Sequence, residues 1–331
     1  MIKVAINGFG RIGRLALREM LKDSLFQVVA INDLTSAEDL AYLLKYDTNH
    51  RALEDSIFAE GENIVINNQK IPVLKESDPS KLPWESFQVD LVLECTGFFT
   101  KEEDAKKHIE AGAKKVLISA PGKGNMKTIV YNVNDSILDG SETIISAASC
   151  TTNCLAPVLK VIEEEFGIKK GFMSTVHAYT NDQATLDIAH KKGYMSRRGR
   201  ACAQNIVPSS TGAAKAIGEV LPQLKGKLDG IAFRVPVSDG SMIDVTLELK
   251  QNTTKEEINK VLEKHQNETL QITYDPVVSS DILGKKVGAL VDGLLTNIIE
   301  VDNTQMVKII AWYDNELGYT TQMIRTAKKL F

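Results

Sequence analysis

Cysteine is scarce in this chain, neither sign of charge dominates, and long apolar runs are missing. Each shortage removes a class of protein. Four cysteines in 331 residues (Cys95, Cys150, Cys154 and Cys202) make a poor disulfide framework, so a reducing cytoplasm is the expected location. With 39 Lys and Arg against 43 Asp and Glu, the net charge is -4, which excludes a broad basic grip on nucleic acid. No apolar run reaches the roughly 18 residues of a membrane span, so no membrane partner is expected. Residues Met1 to Asn7 enter a strand pattern directly, without a basic and then apolar leader. No repeat, low-complexity tract or Pro/Gly/Ser linker interrupts the chain.

What is present is the composition of a chain that buries a large core, 43 % apolar and 25 % charged. Its length suits about two domains of roughly 100–200 residues each. The first third alternates short apolar runs with amphipathic ones, the pattern of parallel-sheet α/β units. Strands are expected at Val4–Ile6, Gln27–Ile31, Asp90–Cys95, Val116–Ser119, Ile129–Tyr131 and Thr143–Ser146, with helices over Arg11–Met20 and Lys101–Ala111. After about residue 150 the strands lengthen, at Phe172–His177, Ile231–Val237, Ile243–Leu249 and Met306–Trp312, and Glu316–Leu330 returns to a helix.

Gly8-Phe9-Gly10-Arg11-Ile12-Gly13 sits between the first strand and the first helix. Gly8 allows a tight turn, Gly10 lets backbone approach a pyrophosphate, and Gly13 lets the helix pack on the strand. The phosphate rests on the helix N-terminus, where free N–H groups and the dipole favour an anion. Asp33 follows the second strand, where a carboxylate bonds adenosine ribose hydroxyls and repels the extra phosphate of NADP. NAD is therefore the expected cofactor, and no metal is expected. The fold expected is α/β: a Rossmann-type parallel-sheet domain over residues 1–149, completed by the C-terminal helix at 315–331, and an α+β catalytic domain with a mixed sheet over 150–314.

Cys150 lies in Ser149-Cys150-Thr151-Thr152-Asn153-Cys154, just after a strand. A thiol at a helix start has its pKa lowered and supplies thiolate. Pro157 suits the first turn of a helix, however, and would start it too late to help. Only a helix beginning near Thr151, with Pro157 inside it, sustains the dipole argument. Cys95, expected within a buried strand, and Cys202 read as small apolar filler. Among five histidines, His108 and His265 fall in charged helices, where solvated rings are expected. His177 ends a strand and opens a polar run, so it suits a base for the thiol, but spacing alone does not select it over His50 or His190.

Six motifs then show a close resemblance to the phosphorylating glyceraldehyde-3-phosphate dehydrogenases of bacterial, glycolytic type. They are Ile6 to Arg14, Ala148 to Cys154, His177 to Thr180, Ser210 to Lys215, Arg234-Val235-Pro236 and Trp312 to Glu316, in family order along the whole chain. The resemblance implies oxidation of D-glyceraldehyde 3-phosphate to 1,3-bisphosphoglycerate, with Cys150 forming a hemithioacetal and then a thioester, His177 as base, and inorganic phosphate as the second substrate. It implies that Thr180 and Arg234 bind the substrate's phosphate, and that Ser149, Thr151, Arg197, Thr211 and Gly212 bind the attacking phosphate. It places Asn315 at the nicotinamide amide, with Ser119 and Tyr319 beside the cofactor and Arg11 and Ile12 in its phosphate turn. A homotetramer is implied as well. Arg51, Ala147, Ala189 and the segment Gly193–Ser196 depart from the family pattern, the last of these bearing on Arg197. Two alternatives remain at this level. One is an erythrose-4-phosphate dehydrogenase, and the other is a non-catalytic surface-interaction protein on the same fold.

Overall fold

The computed structural model describes residues 1–331, which divide into two compact units. The first contains Met1–Ile129, Asp135–Ala148 and Met323–Phe331, and the second Val130–Asn134 and Ser149–Gln322.

The first unit is a nine-stranded sheet. Its centre is parallel: Ile2–Asn7 lies between Phe26–Asn32 and Leu91–Glu94, and Lys115–Ile118 and Ile144–Ser146 follow outward. These strands read as continuous apolar runs because both faces are covered; Val4, Ala5, Ile6, Leu91, Leu93 and Leu117 are wholly buried. Each large aliphatic side chain there contributes about 1.5–3 kcal/mol on burial. At one edge the antiparallel strands Ile57–Glu60, Asn63–Ile66 and Gln69–Leu74 extend the sheet, an addition the alternating pattern did not reveal. Ile129–Tyr131 is not a strand: pairing stops at Lys127–Thr128, and the apolar run continues into a turn with Ile129 and Val130 buried. Cys95 follows its strand instead of lying within it, and burial pushes its thiol up to about 12.

His108 is the clearest departure from expectation in this unit. Its helix, Glu102–Glu110, is charged, yet the ring is fully buried. Trp84 Nε1 donates to His108 Nδ1 at 2.9 Å, so the ring's hydrogen sits on Nε2 and faces Glu94 Oε2 at 3.0 Å. Glu94 in turn receives Asn7 Nδ2 at 2.5 Å, and Asn7 Oδ1 receives Asn32 Nδ2 at 2.7 Å. The residues ending three parallel strands are thus tied by side chains, directly beneath Gly8.

The second unit holds a mixed sheet whose long strands are Ile168–Ala178, Leu228–Val235, Ser241–Leu249 and Thr304–Tyr313. Ser241–Leu249 alternates strictly: Ile243, Val245 and Leu247 are buried while Asp244, Thr246 and Glu248 point away. The helix Cys150–Glu165 covers the buried face, packing on Thr304–Tyr313 and on Ala289–Asp292. Its buried positions include Leu155, Val158, Leu159 and Ile162. The observed class is α/β with a parallel-sheet unit and a mixed-sheet unit.

Candidate active site

The candidate cofactor site of the first unit is backbone. Gly8 has φ +89°, and a Cβ there would stand 2.7 Å from Thr96 N. A Cβ on Gly13 would stand 2.3 Å from Gly8 O, whereas one on Gly10 would meet nothing within 4 Å. Gly8 and Gly13 are therefore packing glycines, and Gly10 leaves an open approach to the N-terminus of the helix Arg11–Met20, which has no side-chain cap. Ile12 lies in this first turn. Arg11 is held aside by a two-pronged ion pair to Asp47. Asp33 Oδ2 accepts from Phe9 N at 2.8 Å and Oδ1 from Thr35 N at 3.0 Å, which fixes the carboxylate beside the turn. Ser119 follows the strand Lys115–Ile118, half-buried, its N–H donating to Glu94 O at 3.0 Å. This glycine cradle with a fixed carboxylate fits a dinucleotide.

The second unit carries a cluster of its own. The helix begins at Cys150 with Pro157 inside it, because Ser149 caps it first: Ser149 Oγ accepts from Thr152 N at 3.1 Å. His177 Nε2 lies 3.4 Å from Cys150 Sγ. Nδ1 is 2.7 Å from Ala178 O, which only accepts, and faces Arg234 NH1, which only donates. Nε2 faces the thiol. Pairing between Ile168–Ala178 and Leu228–Val235 sets His177 opposite Arg234. Arg234 NH1 reaches Ala178 O at 2.9 Å and Thr180 Oγ1 at 3.3 Å, and it passes 2.9 Å from His177 Nδ1. Arg234 Nε is buried without a hydrogen-bond partner.

Electrostatics favour a neutral pair. Burial and then the Arg234 charge push His177 down to about 3. Burial raises the Cys150 thiol, with Arg234 opposing it. The expected thiolate at the helix start is therefore outweighed by desolvation, since a dipole supplies typically 0.3–1 kcal/mol, up to about 2, and burial of a charge costs more. Cys154 is buried one turn on, its thiol pushed well above the usual range, and Cys202 is buried too.

Of the remaining residues, Thr151 sits 4.0 Å from Cys150 Sγ through Oγ1. Thr211 Oγ1 accepts from Ala213 N at 3.2 Å, placing Thr211 and Gly212 at the start of the helix Ala213–Val220, which packs on the helix bearing Cys150. Asn315 is buried, its Oδ1 accepting from Ser241 Oγ at 2.5 Å, and Tyr319 is buried in the following helix. Arg197 is exposed. Its neighbour Arg198 pairs instead with Asp182, which also accepts from Thr180 Oγ1. Asp182, Arg198, Thr175 and Tyr313 thus border the cluster without having been singled out. Asp182 and Tyr313 stood within motifs already noted, the polar run after His177 and the Trp312 to Glu316 segment.

A family model described as the NAD binding domain of glyceraldehyde 3-phosphate dehydrogenase matches residues 2–102, and one for its C-terminal domain matches residues 149–315. The chain is 56 % identical over 326 residues to the glyceraldehyde-3-phosphate dehydrogenase of Clostridium pasteurianum, covering 98 % of this chain and 97 % of that one. It is 51 % identical over 327 residues to the Streptococcus pyogenes enzyme of the same name, at the same coverage.

Proposed function

The chain belongs to the glyceraldehyde 3-phosphate dehydrogenase family, and from that premise we propose that Cys150 and His177 carry the NAD-dependent oxidation and phosphorylation of D-glyceraldehyde 3-phosphate to 1,3-bisphosphoglycerate. The observation that carries this reading is the 3.4 Å approach of Sγ to His177 Nε2, with Arg234 opposite His177 on the neighbouring strand.

Arg234 and Thr180 hold the substrate's phosphate, and Arg234 Nε gains a partner. The Cys150 proton passes to His177 Nε2 as Sγ attacks the aldehyde carbon, and Nε2 returns it to the former carbonyl oxygen, giving a hemithioacetal beside a neutral imidazole. Two neutral partners suit this coupled transfer, because no isolated charge has to be buried beforehand. His177 then takes the hydroxyl proton; NAD would supply the hydride acceptor, and the Gly8–Gly13 turn, Asp33, Ser119, Asn315 and Tyr319 are the residues that would hold it. The thioester left on Cys150 keeps the acyl group activated. Inorganic phosphate, bound by Thr151, Ser149, Thr211 and Gly212 with Arg197 nearby, attacks it and releases the acyl phosphate.

Residues 1–149 with 315–331 serve the cofactor in this reading, and 150–314 the substrate. It includes a cytoplasmic homotetramer. In support of the latter, Leu186, Ile188, Tyr194, Met195 and Ile206 are large, apolar and exposed along one segment. No helix is long and apolar enough to cross a membrane.

The test is NADH formation from glyceraldehyde 3-phosphate with and without phosphate, in Cys150→Ser and Cys154→Ser. Cys150→Ser should lose more than about 1,000-fold of the rate, as expected for loss of a nucleophile, and Cys154→Ser should keep most of it. Equal losses would overturn the assignment.

A further inference from the structure

Behind Cys150 runs a chain of hydroxyl groups whose direction is fixed at its far end. Thr175 Oγ1 lies 3.0 Å from the carbonyl of Met242, which only accepts, so Thr175 donates there and has no hydrogen left to give. Tyr313 Oη is 2.8 Å from Thr175 Oγ1 and must therefore donate to it. Thr151 Oγ1 is 2.9 Å from Tyr313 Oη, and with the phenol hydrogen already committed, Thr151 donates to Tyr313. All three side chains are buried, so no water supplies an alternative partner in bulk. The strands place them: Thr175 on Ile168–Ala178 and Tyr313 at the end of Thr304–Tyr313 both flank Ser241–Leu249. The Tyr313 ring also stands edge-on to His177, centroids 5.8 Å apart at 79°, which holds the phenol in one orientation.

We propose that Tyr313 and Thr175 are positioning residues that draw the Thr151 hydrogen away from the reaction centre, so that Thr151 Oγ1 presents only lone pairs and accepts the hydrogen of a monohydrogen phosphate. This rests on the thioester route proposed above. Phosphate near neutral pH carries at least one hydrogen, and only its unprotonated oxygens attack well. With the P–OH held by Thr151, an unprotonated oxygen is left to face the acyl carbon. Its lone pair forms the C–O bond, and the C–S bond breaks with its electrons going to Sγ. The hydrogen stays on the phosphoryl group and is lost to water after release.

The experiment compares phosphate with methylphosphonate at a pH where both are dianions, so that charge and shape match and only the oxygen-bound hydrogen differs. In the unaltered enzyme, Ki for methylphosphonate against phosphate should exceed the phosphate KM by about tenfold or more, the cost of a missing hydrogen bond at a buried acceptor. Thr175→Val keeps the shape but frees Tyr313 to donate to Thr151, and Tyr313→Phe frees Thr151 outright; each should bring that ratio within about threefold. Thr175→Ser should restore it. Equal binding of the two anions by the unaltered enzyme would overturn the proposal, as would a ratio that survives both substitutions. NADH released in a single turnover without phosphate reports thioester formation separately, and its absence in the unaltered enzyme would overturn the underlying route instead.

Discussion

The two strand-to-helix turns of this protein solve opposite problems with the same backbone. At Gly8 the chain turns with φ +89° and delivers a helix with no side-chain cap, open at Gly10. At Ala148 it turns with φ +57° and delivers a helix capped by its own Ser149. The first turn keeps its N–H groups for an outside anion and is shaped by what cannot fit. The second spends them internally and uses the helix start to orient a thiol among charged and titratable neighbours. Substitutions of shape should therefore act on the first turn, and pH should act on the second.

The largest effect is expected from Gly8→Ala. Its Cβ would stand 2.7 Å from Thr96 N and 2.8 Å from Cys95 C, backbone atoms that cannot swing aside. The N–H of Thr96 is also held by Glu94 at 2.8 Å, and Glu94 is tied to Asn7 and His108. The turn cannot relax without breaking a buried network, so NAD binding measured by calorimetry should weaken by more than about 100-fold, an overpacking cost of roughly 3 kcal/mol. Gly10→Ala, with open space around it, should keep the fold and lose less. Equal affinity in Gly8→Ala and the unaltered protein would show that the turn is not shape-limited.

The second effect is on pH. His177 is held to about 3 in the folded chain against an ordinary 6.5, so between these values the unfolded chain takes up a proton that the native one refuses. Stability should therefore fall as pH drops below about 6.5, by up to one proton's worth of slope. His177→Asn removes that proton, and its urea midpoint should change less between pH 6.5 and 4 than that of the unaltered protein. Parallel curves would mean that the neutral imidazole is not what makes the catalytic cluster acid-sensitive.

The same contrast explains what could be read beforehand. The glycine turn is legible because its constraints are local: three glycines at fixed spacing between an apolar run and an amphipathic one. The helix start at Cys150 was not, because Pro157 argues for a later start and only the Ser149 cap decides against it. His177 could not be chosen over His50 or His190, since its partners arrive from residues 27 and 57 positions away. His108 was misjudged for the same reason. Its neighbours Lys106, Lys107 and Glu110 look solvated, while the ring turns inward to Glu94 and Trp84, 14 and 24 residues distant. Tyr313 and Thr175 are 138 residues apart, so no local pattern announces their contact.

The smallest effects separate the two parts of the second turn. Ser149→Ala removes the cap to Thr152 N and should destabilise by about 1 kcal/mol. It should also leave the thiol less well placed, lowering the rate of NADH formation at saturating substrate. Ala148→Gly releases a left-handed backbone that costs an alanine roughly 1 kcal/mol, yet it also widens the unfolded ensemble by a similar amount. The net change in urea midpoint should be close to zero or slightly stabilising. A loss as large as that of Ser149→Ala would mean that the Ala148 methyl does more than tolerate its turn, and the two turns would then be alike in being packed by their first residue, glycine in one and alanine in the other.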